Sequence, residues 1–182
     1  MKTKVLFSLG LIFMFVCANA YELDGNLGVK WTGYKTAQKV AVSGTFKEIN
    51  LQIESNDNLE QFLKSANVQI NTLSFDSGLD VRNKSIVSTL FSLKSSEKIT
   101  GSISNVDVNK KTLVLKLTMN GVTKNVLMSY DIKDNKIVAN GQIDVLDYNM
   151  QESFAKFAKA CFDLHKGKSY SEVDIEFTLP YK

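Results

Sequence analysis

Residues 112–131 read TLVLKLTMNGVTKNVLMSYD, and this stretch decides the fold. In its first half every second side chain is a large apolar one, which is the period of a β-strand with two different faces: Leu113, Leu115, Leu117 and Met119. Asn120-Gly121 follows at once, and this pair accepts the positive φ angles of a tight type I′ turn. The second half runs back to Tyr130 with its own alternation. The stretch predicts a β-hairpin, whose apolar face needs further strands to cover it.

Residues 1–20 are typical of a secretory signal peptide. Lys2 and Lys4 precede an apolar run over residues 5–16, and Ala18-Asn19-Ala20 offers small residues at the cleavage spacing. The run is too short and wrongly flanked for a membrane span. We therefore expect cleavage near Ala20 and a mature domain of residues 21–182, periplasmic or secreted. The alternative of a lipoprotein would require cleavage just before Cys17, where the preceding large residues are unfavourable.

The net charge and cysteine content of the expected mature chain bear on its partners and on how its fold is stabilised. Without Lys2 and Lys4 the chain has 20 basic and 19 acidic side chains. A net charge near +1 gives no reason to expect nucleic acid or an anionic membrane surface as a partner. Cys161 is then the only cysteine, so no internal disulfide is possible and ordinary packing must stabilise the fold.

Alternating segments recur along the rest of the chain and, with the hairpin, give about eight strands joined by short connections. No βαβ rhythm is present, so a parallel sheet is not expected. Antiparallel strands in this number close into a barrel or split into a sandwich. The interior of an eight-stranded barrel is either filled by its own side chains or holds one small ligand.

Three helical segments interrupt the strands. Leu59, Phe62 and Leu63 have helical spacing, with Asp57 or Asn58 as the cap. Residues 77–91 predict an irregular or helical excursion. Residues 151–162 predict the best helix, and its apolar face consists of Phe154, Phe157, Ala158 and Cys161.

Several stretches resemble the YceI-like family of secreted bacterial proteins. They are GTFKEI at 44–49, INT at 70–72 with Arg82 and Phe91 downstream, and NGVTKNV at 120–126; residues 141–148 and 173–175 also fit. The resemblance covers essentially the whole mature chain. It implies an all-β fold with short helices, a lipocalin-like extended eight-stranded antiparallel barrel with a long apolar channel. It also implies binding of a polyisoprenoid, fatty acid or fatty amide, often as a homodimer.

The sequence departs from the family pattern at two places. The family commonly has an Arg-Asp pair where this chain has Arg82-Asn83, and it commonly has histidines near the first strand, where this chain has none. Both departures concern contacts to a ligand head group more than the binding of an apolar chain.

Large and adaptable apolar side chains on several strands and one helix are the candidates for lining such a channel. Taken singly, each is better interpreted as ordinary core, and the functional reading rests on their distribution. They are Trp31, Phe46, Phe75, Phe91, Met119, Met128, Phe154, Phe157 and Phe162. Arg82 is the candidate polar anchor, because its permanent charge suits a phosphate or carboxylate; the alternative is a solvated loop arginine.

Residues for catalysis or metal binding do not form a recognisable pattern. His165 follows Cys161 by four residues, but two ligands are too few for a structural zinc site. We expect Cys161 to pack as a small apolar residue and His165 to end the helix, where its charge suits the dipole. No nucleophile elbow surrounds any serine, and no Gly-rich phosphate loop is present.

The sequence thus predicts a periplasmic carrier of a long-chain amphiphile that needs no catalytic residues, cofactor or metal and has no stable membrane insertion. One alternative is an envelope-stress or partner-binding protein whose barrel is filled by its own side chains. Another is an enzyme, or an enzyme-associated accessory protein, that handles an isoprenoid or quinone.

Overall fold

The computed structural model describes residues 20–182. The predicted signal peptide, with Cys17, lies outside the described residues except for Ala20. Within residues 20–182, no helix combines the length and the apolar character needed to cross a bilayer.

The hairpin predicted at residues 112–131 is present. β7 (Thr112–Met119) and β8 (Val122–Lys133) pair antiparallel from Met119↔Val122 to Thr112↔Ser129. Asn120 and Gly121 have φ angles of 49° and 73°, the two positive values that a type I′ turn requires. The Asn120 amide also donates to the carbonyls of Tyr148 and Asn149, both at 3.1 Å, so the turn is docked against the rest of the chain.

Eight further strands complete one antiparallel sheet in the order β3-β4-β6-β7-β8-β9-β10-β1-β2-β5. Their bounds are β1 (Gly28–Lys35), β2 (Val40–Phe46), β3 (Ile49–Gln52), β4 (Asn67–Asn71), β5 (Phe75–Asp76), β6 (Lys98–Asp107), β9 (Lys136–Asp144) and β10 (Glu172–Pro180). A bulge shifts the register between β6 and β7 at Ile103/Asn105, which adds local twist to the strand.

The sheet closes into a barrel through its edge strands, β3 and β5. β3 belongs to one bent chain segment, β2–β3, and β5 belongs to another, β4–β5, and these two segments pair with each other. β2 continues into β3 after two residues, and β4 continues into β5 through a short 3-10 turn, Thr72–Ser74. β2 pairs with β5 at Thr45↔Asp76 and Phe46↔Phe75, while β3 pairs with β4. Counted as continuous bent segments, the ten strands make eight, which agrees with the predicted number of about eight, and the all-β lipocalin-like fold is confirmed.

Three α-helices lie between the strands: α1 (Leu59–Lys64), α2 (Asp80–Thr89) and α3 (Gln151–Ala160). Asn58 caps α1 by accepting from the backbone N–H of Gln61 at 3.1 Å, as predicted. Two more 3-10 turns, Lys94–Ser96 and Val145–Tyr148, precede β6 and α3. α2 and α3 pack against each other, and together they cover part of the barrel interior.

The core lies inside the barrel. The inward side chains of β7 show how its packing differs from one end of the barrel to the other. Leu113, Leu115, Leu117 and Met119 are all buried. Leu113 and Leu115 line a small cavity at one end of the barrel, whereas Leu117 and Met119 face a large cavity.

Candidate ligand-binding site

A cavity of about 460 Å³ lies between the wider end of the barrel and the helices α2 and α3. This volume falls within the range of about 300–1,000 Å³ that is typical of small-molecule sites. Its wall is formed mainly by apolar side chains that point inward from the strands, including Val29, Ile70, Ile99, Leu117, Val173 and Ile175.

Stacked aromatic rings form one side of the cavity. The ring centroids of Trp31 and Phe75 are 4.5 Å apart at an interplanar angle of 26°, and Phe46 meets Phe75 edge-on at 5.7 Å. Phe91 lies 6.2 Å from Phe75. Gly44 leaves room for this stack, because a Cβ there would lie 2.5 Å from Trp31 Cζ2 and 2.4 Å from the Asp76 carbonyl oxygen.

The helices α2 and α3 supply the other side. Phe154 and Phe157 of α3 both line the cavity, with ring centroids 6.2 Å apart. Cys161, the residue after α3, is buried on the same wall, and its Sγ lies 3.7 Å from Oγ of Ser85 in α2. Helical spacing explains the arrangement, because residues three and four apart share one helix face.

Three side chains that carry or can carry positive charge line the mouth of the cavity: Lys35 from β1, Arg82 from α2 and His165. Within residues 20–182, no Asp or Glu lines the cavity, and neither Lys35 nor Arg82 takes part in an ion pair. Partial burial, followed by repulsion from Lys35 and Arg82, holds the pKa of His165 below its ordinary value. The mouth therefore has positive charge and no counter-charge on its wall.

His165 is fixed by two neighbours. Its Nδ1 lies 2.7 Å from Oγ of Ser169, and its ring meets Phe157 edge-on at 5.6 Å. Because α3 ends at Ala160, with Cys161 as its C-cap, His165 lies in the turns that follow the helix. The prediction that His165 ends the helix is therefore wrong.

Most of the apolar residues that the sequence singled out face this one cavity, and Arg82 lies with them. On its wall are Trp31, Phe46, Phe75, Arg82, Phe91, Met119, Phe154 and Phe157. Their contact with a ligand remains a prediction.

Met128 and Phe162 do not line the cavity. Met128 points inward, but it pairs with Leu113 at the narrow end of the barrel and lines a second, smaller cavity. Phe162 follows the end of α3 and is 60% exposed, so the helical periodicity used to place it does not apply.

The sequence analysis did not assign several residues of the wall to the site. Leu79, Val81, Leu164 and Tyr170 come from loops or from the first turn of a helix, where no periodicity indicates a direction. Tyr34 lies on β1, and its hydroxyl donates to the Asp174 carboxylate, which raises the pKa of Tyr34.

The second cavity, of about 70 Å³, continues the apolar interior toward the narrow end of the barrel. Phe177 of β10 lines both cavities, so its ring stands between them. The long channel implied by the family resemblance is therefore divided into two compartments at Phe177.

Among the described residues, no group of three or more His, Cys, Asp or Glu side chains is arranged to hold a metal ion. Cys161 and His165 line the same cavity. Within residues 20–182, no third His, Cys, Asp or Glu side chain completes a metal-binding group with them.

The sequence itself identifies the family. A sequence model of the YceI-like domain matches residues 21–180, nearly all of the described chain. The chain belongs to the YceI-like family. No curated protein matches it significantly.

Solved structures show the same fold. A polyisoprenoid-binding domain from Saccharophagus degradans, implicated in plant cell wall breakdown, is 16% identical with a TM-score of 0.60, covering 90% of this chain and 97% of that one. BcnA of Burkholderia cenocepacia is 20% identical with a TM-score of 0.61, covering 87% and 98%. A Campylobacter jejuni YceI protein is 14% identical with a TM-score of 0.53, covering 100% and 99%.

The departure from the YceI-like pattern at Asn83 has a structural explanation. Asn83 Oδ1 accepts from the backbone N–H and the hydroxyl of Ser77 at 2.8 and 2.7 Å, and its Nδ2 donates to Asp76 at 3.1 Å. An aspartate at this position would bring two carboxylates together. Asn83 thus fixes the loop before α2 and does not line the cavity.

Proposed function

We propose that this protein binds one long-chain amphiphile, with the apolar tail in the large cavity and the head group at the mouth, and carries it in the periplasm without chemical change. The observation that carries the proposal is the cavity of about 460 Å³, enclosed by apolar side chains inside the barrel. The large compartment favours a carrier over the alternative in which side chains fill the barrel.

The wall suits a flexible hydrocarbon tail. Each buried CH₂ group contributes about 0.8 kcal/mol, and the aromatic stack of Trp31 and Phe75 offers a flat surface to a chain that has no polar groups of its own. The polyisoprenoid-binding domain from Saccharophagus degradans shares this fold, which supports a prenyl or similar chain as the ligand.

The mouth suits an acidic head group. Arg82 has a planar fork of donors that can hold a carboxylate or phosphate with two hydrogen bonds, and Lys35 adds a second fixed positive charge. A fatty acid or a prenyl phosphate satisfies both side chains, whereas a fatty amide has no charge to offer. We therefore rank the acidic amphiphiles above the amide.

The proposal is tested by extracting the purified protein with an apolar solvent and identifying the extract by mass spectrometry. The matched variant is Gly33→Phe, because Gly33 lines the cavity and the nearest atom to a Cβ there is 4.0 Å away, so a ring has space to fill the site. We expect the wild type to yield one class of long-chain amphiphile and Gly33→Phe to yield much less. An empty extract from both, with no uptake of added lipid, would favour the filled-barrel alternative.

The head-group assignment has its own measurement. A fatty acid and the fatty amide of equal chain length compete for the stripped protein, first wild type and then Arg82→Gln. We expect the wild type to prefer the acid and the variant to lose most of that preference while still binding both tails. An equal preference in the two proteins would mean that Arg82 is a solvated arginine.

A further inference from the structure

Exposed apolar side chains are concentrated around the mouth of the large cavity. Leu79 and Val81, at the start of α2, are 51% and 73% exposed, and Leu164, in the turns after α3, is 73% exposed. All three line the same cavity, and the exposed Phe162 lies in the same turns as Leu164. Large exposed apolar residues in one place indicate an interaction surface.

Basic side chains surround these apolar residues. The three segments at the mouth, residues 35–39, 79–84 and 162–168, contain six basic side chains, namely Lys35, Lys39, Arg82, Lys84, Lys166 and Lys168, against the two acids Asp80 and Asp163. The expected mature chain as a whole has a net charge of only +1, so the rest of its surface is acidic on balance. Within residues 20–182, none of the six basic side chains takes part in an ion pair.

The three segments are held together by the fold. Thr36 N–H donates to the Lys168 carbonyl at 3.0 Å, and the ammonium groups of Lys39 and Lys168 each lie 5.0 Å from the ring centroid of Tyr170. This joins the β1–β2 turn to the segment after α3, while α2 packs on α3. The apolar and basic side chains therefore form one surface, which we name the mouth surface: residues 35–39, 79–84 and 162–168.

We propose that the mouth surface docks on an anionic lipid bilayer, with Val81, Phe162 and Leu164 entering the interface and the lysines contacting lipid head groups. Apolar side chains surrounded by lysine and arginine are the composition that peripheral proteins present to such membranes. A flat protein partner would need acidic groups to match this surface, whereas a bilayer supplies both negative charge and an apolar layer beneath it. Docking would place the cavity opening against the lipid, and it does not depend on which ligand the cavity holds.

The experiment is co-sedimentation of the ligand-stripped protein with vesicles of phosphatidylcholine alone and of phosphatidylcholine with phosphatidylglycerol. We expect binding to the anionic vesicles, weakened by salt, and much weaker binding to the neutral ones. Each lysine near an anionic surface strengthens binding about fivefold, so Lys166→Glu with Lys168→Glu should weaken it by at least roughly 30-fold.

Phe162→Glu separates docking from ligand binding, because Phe162 does not line the cavity. Its matched control is Leu127→Glu, since Leu127 is 70% exposed on β8 and lies outside the mouth surface. We expect Phe162→Glu to lose vesicle binding while retaining amphiphile and native thermal stability, and Leu127→Glu to bind vesicles like the wild type. Equal binding to both kinds of vesicle, binding to neither, or equal losses in the two variants would overturn the proposal.

Discussion

The indole of Trp31 occupies the space that a side chain at Gly44 would need. The two residues pair across β1 and β2, and a Cβ on Gly44 would lie 2.5 Å from Trp31 Cζ2. Only glycine at position 44 therefore leaves the indole free to stack on Phe75 at the wall of the cavity.

Gly44→Ala should destabilise the protein by about 1–3 kcal/mol, the usual cost of overpacking a dense interior. The added carbon would lie 2.4 Å from the Asp76 carbonyl oxygen, which belongs to the backbone and cannot move away as the end of a flexible side chain can. Urea denaturation measures the loss. Gly33→Ala is the matched control, since the nearest atom to its Cβ would be 4.0 Å away, and its free energy of unfolding should be nearly unchanged. Equal losses would show that the close approach to Trp31 is not the cause.

Trp31 should report the occupancy of the cavity, because it is the only tryptophan of the chain and lies on the cavity wall. Stripping the bound amphiphile should shift its emission to longer wavelength as water replaces the tail, and a long-chain amphiphile should reverse the shift. A shorter analogue should act more weakly, by about 0.8 kcal/mol of binding free energy per missing CH₂. Identical emission from stripped and loaded protein, together with protection from a water-soluble quencher, would indicate a filled interior.

Phe157→Ala should weaken ligand retention more than it weakens the fold. Phe157 is only partly buried, and it lines the cavity between Phe154 and His165. Phe62 is the matched comparison, since it is completely buried and lies outside the cavity; Phe62→Ala should cost about 3–5 kcal/mol of unfolding free energy. Thermal denaturation and amphiphile retention are measured for both variants. A loss of stability in Phe157→Ala as large as in Phe62→Ala would make Phe157 ordinary core.

Phe177→Ala should join the two cavities and shift the retained ligands toward longer tails. The ring of Phe177 lines both the cavity of about 460 Å³ and the cavity of about 70 Å³. Removing the ring opens the smaller space to the end of a tail, and each further CH₂ buried there adds about 0.8 kcal/mol. Competition between two fatty acids of different length measures the preference. An unchanged length preference in a folded variant would show that the tail does not reach Phe177.

His165 should make the protein less stable as the pH falls through the range below neutrality. Its pKa in the folded protein is lower than the ordinary value of about 6.5, so the unfolded chain binds the proton more readily. The contribution of the neutral His165 to the free energy of unfolding is fully present above about pH 6.5. It is lost as the pH falls through the lower pKa that His165 has in the folded protein. Burial and the charges of Lys35 on β1 and Arg82 on α2 are the cause, while the neighbours Phe157 and Ser169 are uncharged.

His165→Gln tests this, because glutamine can still bond to Ser169 but does not titrate in this range. Urea denaturation near pH 7.5 and near pH 5.5 should show a larger loss of stability in the wild type than in the variant. His165 is the only histidine of the chain, so no second imidazole confuses the comparison. Equal losses in the two proteins would contradict the assignment.

The sequence predicted the features that depend on local chemistry. Asn120-Gly121 was predicted to form the tight turn because few residues accept two successive positive φ angles, and both are observed. Asn58 was one of two predicted caps, and it accepts the N–H of Gln61. The count of about eight strands follows from alternation, whose phase shifts at the two bends, from Phe46 to Ile49 and from Ile70 to Phe75.

Positions along the barrel could not be predicted in the same way. Alternation shows which face of a strand a side chain is on, but not how far along the barrel it lies. Met128 and Met119 both point inward, yet only Met119 faces the large cavity. The position of His165 depends on the end of α3 at Ala160, and helix ends are poorly specified by periodicity. Likewise, a net charge of +1 gave no indication that six basic side chains gather at one opening.

The pairing of β2 with β5, which we call the seam because it helps to close the barrel, is also part of the cavity wall. β5 has only two residues, and its pairing with β2 includes Phe46↔Phe75, two rings that line the cavity. A ligand in contact with these rings bridges the seam from inside, so part of its binding free energy is linked to keeping the β2–β5 ladder closed. With two residue pairs this ladder is the shortest in the described sheet, so we expect it to open first when no ligand is bound. Ligand binding at these rings would thus be thermodynamically coupled to barrel closure, and we expect a loaded protein to protect the amides of β2 and β5 from hydrogen exchange better than an empty one.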